Sequence, residues 1–145
     1  MDVKKLLDIP SWEWPQDTDK TFLKMLRDRL ADASDRLIAA ELAGDIAVID
    51  DTLADALLSV VKNADETDQL RITAVLALGP VLEYTYDEIE MPDERTISAG
   101  MFNRIQGSLQ RLYADENTPG EVRRRILEAS VRAPQDCHHA AIYAA

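Results

Sequence analysis

Cysteine is almost missing from this 145-residue chain. The single Cys137 has no partner for an internal disulfide, which excludes a stapled secreted scaffold and suits a reducing compartment. Glycine (5) and proline (6) are too scarce for a low-complexity chain or one built on many tight turns. Aromatic residues are 6% of the sequence, and β-branched residues are few beside Ala and Leu, a balance that disfavours strands. Long apolar runs are also lacking. None nears the roughly 18 residues of a spanning helix, and the first ten residues carry only the Leu6-Leu7 pair, with no apolar region of a signal peptide. We therefore expect a cytoplasmic chain with no membrane contact. Nor is there a phosphate loop, a dinucleotide fingerprint or a nucleophile elbow.

Positive charge is the last shortage. Sixteen bases face 27 acids, for a formal net charge of -11 and a pI near 4.5. A field of that sign repels phosphate backbones and anionic headgroups, so nucleic acid is disfavoured as a partner. The imbalance is uneven, because residues 1–100 hold 22 acids and 10 bases, whereas 101–145 hold 5 and 6.

What is present is helical periodicity in a chain 46% apolar and long enough for one core. A lead punctuated by Pro10 and Pro15 holds Trp12 and Trp14, one of which is expected to cover the apolar end of the first helix pair. Asp17 or Thr18 can cap a helix with Phe22, Met25, Leu26 and Leu30 in register, and Ser34 or Asp35 the next, which runs to Gly44. A third helix carries Ile49, Leu53, Leu57, Val60 and Val61, and a fourth starts near Asp68, with Pro80 expected to kink or end it. From Glu83 to Arg95, six acids and Pro92 read as a loop, more readily a solvated insertion than a calcium site because the alternating oxygens and central glycine are missing. Ser98 can cap a fifth helix. Thr118, Pro119 and Glu121 open a sixth, which Pro134 closes.

Three stretches align with one another: Asp35 to Gly44, Leu70 to Gly79 and Val122 to Ala129. Each has an arginine near its start (Arg36, Arg71, Arg123), and each follows a similar turn at 30–33, 63–66 or 113–116. The arginines are 35 and 52 residues apart, and the acidic stretch accounts for most of the difference.

A turn aspartate, an apolar-Arg pair and small residues ending in Leu-Gly, best seen in Asp65, Leu70-Arg71, Ala74, Ala77 and Leu78-Gly79, resemble the HEAT-repeat family in its short bacterial form. The resemblance spans about 17–133 and implies an all-α fold, a right-handed α-solenoid (α-α superhelix) of three HEAT-like helix pairs. The expected divisions are a capping segment 1–16, pairs at about 17–45, 46–83 and 98–133 with an acidic loop 84–97, and a tail 134–145. It also implies a structural ladder of Asp65 with Arg36, Arg71 and Arg123. The second helix of each pair would line a concave side, giving a partner-binding stripe of Ile38, Glu41 and Asp45, then Thr73, Leu76, Pro80 and Glu83, then Arg125, Glu128 and Arg132.

Cys137-His138-His139 is the only concentration of metal-ligand types. It lacks the three or four spaced ligands of a zinc site, so no metal, cofactor or catalytic residue is expected. The function expected is an interaction module or adaptor that holds a protein or peptide in the groove, as a monomer or weak homo-oligomer, and is not an enzyme. One alternative, by resemblance to HEAT-like subunits of bilin lyases, is an enzyme accessory handling a tetrapyrrole. Another is a nucleic-acid-binding HEAT-like protein using Arg123, Arg124, Arg125 and Arg132.

Overall fold

The computed structural model describes residues 2–45, 47–87 and 97–131, and of 84–87, 130 and 131 the backbone alone. Among the described residues there are seven α-helices, one short 3-10 helix and no strand. In chain order they are α1 (Val3–Leu6), the 3-10 helix Ser11–Glu13, α2 (Thr18–Arg27), α3 (Ala33–Ala43), α4 (Asp51–Lys62), α5 (Asp68–Asp87), α6 (Ala99–Ala114) and α7 (Gly120–Val131). None of these helices is long and apolar enough to cross a membrane.

Side chains of the polar residues before the helices fix several of the starts. Asp32 accepts from the Asp35 N–H at 3.1 Å, Asp50 from Leu53 N–H at 2.9 Å, and Ser98 from Met101 N–H at 3.1 Å. Each satisfies one of the amides that a helix start leaves without a partner. Asp32, two residues ahead of Ser34, is thus the true cap of α3. The first pair of helices also turns earlier than its apolar pattern implies. α2 ends at Arg27, and Leu30 stands 96% exposed in the turn.

Consecutive helices pack as pairs: α2 on α3, α4 on α5, α6 on α7. Like members of successive pairs also touch. α2 meets α4 and α4 meets α6 in one row, while α3 meets α5 and α5 meets α7 in the other. Ala39, Ala40, Ala43, Ala74 and Ala77, all buried, sit on the α3 and α5 row, where small side chains let helix axes come close. Phe22, Leu53, Leu57, Leu58, Leu78, Leu82, Phe102, Ile105, Leu109 and Ile126 fill the space between the rows.

Pro80 does not end the fourth long helix. α5 runs through it to Asp87, past Glu83, where a loop was expected; the rest of that acidic stretch, 88–96, lies outside the described residues. An interior proline costs about 3 kcal/mol. Continuing the helix buries Val81 and Leu82 completely, and full burial of each such side chain returns about 1.5–3 kcal/mol.

At the amino end Trp14 takes the covering role. Its indole N–H lies 3.2 Å from the Leu6 carbonyl and 3.0 Å from that of Ile9, and its ring meets Phe22 edge-on at 5.6 Å. Trp12, 81% exposed, covers nothing.

The pairs are tied by their arginines. The Arg36 Nε–H donates to Met25 O at 3.1 Å and an Nη2–H to Leu26 O at 2.8 Å; Arg71 Nε–H reaches Val61 O at 2.9 Å, and Arg123 Nε–H reaches Tyr113 O at 2.9 Å. In each case the second helix of a pair satisfies a carbonyl in the last turn of the first, where the helix leaves oxygens unpaired and carries partial negative charge.

The carboxylate that joins one pair to the next is Glu66, not Asp65. Glu66 takes two hydrogen bonds from the Arg36 guanidinium, at 3.0 and 2.7 Å, and Arg29 Nε lies 3.6 Å away. Asp65 is exposed, and its backbone carbonyl accepts from Arg29 at 3.0 Å. The hydrogen bond from Arg36 holds the Glu66 carboxyl below its ordinary value, against the opposing effect of burial. A depressed folded-state value means that this stabilisation is complete above the ordinary carboxylate range and is lost as the pH falls toward the folded value. In urea titrations Arg36→Ala, which strands a buried carboxylate, is expected to lose about 3–5 kcal/mol. Glu66→Gln is expected to flatten the fall in stability below about pH 4.5 relative to the parent chain.

Candidate functional site

The α3, α5, α7 row leaves an open depression of about 450 Å³ between α3 and α5. Leu42, Gly44, Leu76, Ala77 and Pro80 give it an apolar bed, and Glu41 and Asp45 bring carboxylates to it. That volume falls within the range of sites that accept a small ligand or a few side chains.

Two local features shape it. Gly44 closes α3 with φ -78°, a conformation open to any residue, so its glycine is explained by space. A β-carbon placed there would collide with the Ala77 carbonyl oxygen. The absence of that carbon is what lets the end of α3 rest on the backbone of α5. Pro80 supplies the second feature. Having no N–H, it leaves the Leu76 carbonyl without its usual helical donor, on the stretch of α5 that borders the depression.

Leu76, 43% exposed, is the large apolar side chain presented here. Glu41 is exposed and has no ionic partner among the described residues. Asp45 is half-buried, and its Oδ1 accepts from the Ala47 N–H at 2.8 Å, which holds the carboxylate in place as the chain leaves α3.

Of the stripe expected from the sequence, Glu41, Asp45, Leu76 and Pro80 come together in this depression, and Ile38, Thr73, Glu83, Arg125 and Glu128 do not line it. Ile38 is half-buried against the core. Thr73 donates to the Gln69 carbonyl at 2.8 Å, within its own helix. Arg125 and Glu128 pair with each other at 3.0 Å on α7. Arg132 lies outside the described residues, as do Cys137, His138 and His139. Leu42, Gly44 and Ala77 belong to the site but were not expected in it. A glycine that ends a helix reads as a stop signal, and nothing in the sequence marks it as a point of contact with α5. Among the described residues no three His, Cys, Asp or Glu side chains gather as a metal site would require.

No family model, curated protein or solved structure matches this chain.

Gly44→Ala tests the close approach directly. The clash is with backbone, which cannot swing aside as a side chain would, so a loss of about 1–3 kcal/mol is expected, read as a lowered melting temperature.

Proposed function

We propose that this chain is a right-handed α-α superhelix of three HEAT-like helix pairs whose α3, α5, α7 row binds another protein or peptide, without catalysis. The observation that carries this reading is the open apolar depression between α3 and α5, with Leu76 presented beside two carboxylates. A solvated helix face has no need of an exposed leucine, an interior proline and a glycine-dependent close approach at one spot. Partners that dock a short segment use such a bed for an apolar anchor, with polar groups around it to fix orientation.

The stacking contacts support the superhelix. Each helix touches its partner in the pair and the like helix of the next pair, which is how quasi-one-dimensional repeat folds are built. Arg36, Arg71 and Arg123 serve as joints within the pairs. Arg36 and Arg71 are buried and so are not available to a ligand.

Affinity capture from cells, quantified for the parent chain, Leu76→Asp and Leu30→Asp, tests the reading. Both substitutions put a charge at an exposed leucine, but only Leu76 borders the depression. A protein recovered by the parent and by Leu30→Asp, and reduced at least about tenfold with Leu76→Asp, is the expected result. Equal recovery by all three would reject this site.

A further inference from the structure

We propose that the depression between α3 and α5 receives an extended basic segment of another protein, in which a lysine or arginine lies two residues from an apolar side chain. This rests on the binding reading above and names the chemistry of the guest.

Two features of the site call for two properties in one guest. The bed of Leu42, Leu76, Ala77 and Pro80 offers apolar surface that a leucine, isoleucine or valine can cover. The carboxylates of Glu41 and Asp45 stand at the same depression with no cation supplied by the described residues, and one oxygen of Asp45 is already oriented by the Ala47 N–H. A guest cation completes them, and a guest carboxylate is repelled. An extended segment turns alternate side chains to one face, so it can bring an apolar side chain and a cation to the same depression.

An extended chain sends residues i and i+2 to the same side, about 7 Å apart. A Lys-Xaa-Leu spacing therefore directs cation and anchor into the site together. The formal charge of -11 attracts such a segment from a distance, and the bed selects it once there.

The test is fluorescence anisotropy with the full chain and four short labelled peptides, built on Lys-Ser-Leu-Ser-Lys, Lys-Ser-Ser-Ser-Lys, Glu-Ser-Leu-Ser-Glu and Ser-Ser-Leu-Ser-Ser. The first is expected to bind at least about tenfold tighter than the other three. Its binding is expected to weaken by a similar factor with Leu76→Asp and with Glu41→Lys, and to change less than about twofold with Glu116→Lys, an exposed site in the α6–α7 turn. Leu76→Asp is decisive because it makes the protein more acidic, so attraction by net charge alone would tighten binding. Melting curves of each variant establish that it is folded.

Equal binding of the two lysine peptides, or equal loss with Glu116→Lys, overturns the proposal in favour of general charge attraction. Binding of a leucine peptide without lysine, abolished by Leu76→Asp, overturns the cationic part and leaves a groove that binds apolar segments. Failure of all four peptides to bind the folded parent overturns the extended basic guest. If the captured partner still depends on Leu76, that failure leaves the binding reading standing.

Discussion

A helix that ends against its neighbours leaves carbonyl oxygens with reduced access to water, and in this protein arginines, two of them buried and Arg123 half-buried, answer that constraint. Each guanidinium comes from the second helix of its pair and turns back to the last turn of the first, through the same Nε–H each time. Lysine could carry the charge, but it lacks the fork that lets Arg36 meet two carbonyls and a carboxylate at once. The hydrogen bonds set the angle between the members of a pair. Once that angle is fixed, the alanines of α3 and α5 meet and the apolar side chains interlock between the rows.

Glu66 extends the same device from one pair to the next. It lies in the turn that begins the second helix of its own pair, and it closes on an arginine of the preceding pair. A buried ion pair of this kind contributes modest net stability, since both charges give up hydration. Its strength lies in geometry, because any sliding of one pair along the other separates the carboxylate from Arg36 while both remain buried. The corresponding position in the third turn, Glu116, is exposed, so this carboxylate link is not repeated there.

Much of the architecture was legible in the spacing of apolar residues and arginines. Leu53, Leu57, Val60 and Val61 lie buried on α4, with Ile49 buried just ahead of its first turn, and Ser98 caps α6 at the expected residue. The errors fell where long-range packing overrides a local rule. Leu30 fits the period of α2 but lies beyond its end, and Pro80 would stop an isolated helix but is carried through by the burial of Val81 and Leu82. The shift from Asp65 to Glu66 has another origin. A turn offers adjacent acids almost equally, and only the position of Arg36 in space decides which of them it meets. The site was half legible for the same reason: the α3 and α5 residues at helical spacing could be listed, but their convergence depends on how closely two backbones approach.

Gly44 and Pro80 make that approach intelligible. Proline inside a helix costs stability where a more ordinary residue would serve, and glycine adds chain entropy to the unfolded state wherever it stands. Gly44 offsets that by letting α3 settle on the Ala77 carbonyl, which brings Glu41, Leu42 and Asp45 up to α5. Pro80 recovers part of its cost through the helix that continues beyond, yet alanine would allow the same burial without losing a hydrogen bond. What alanine would not do is leave the Leu76 carbonyl without a helical donor beside an exposed leucine. Local rules are broken most often where a fold has a task besides holding together, and here Pro80 breaks one at the depression whose other wall Gly44 brings close.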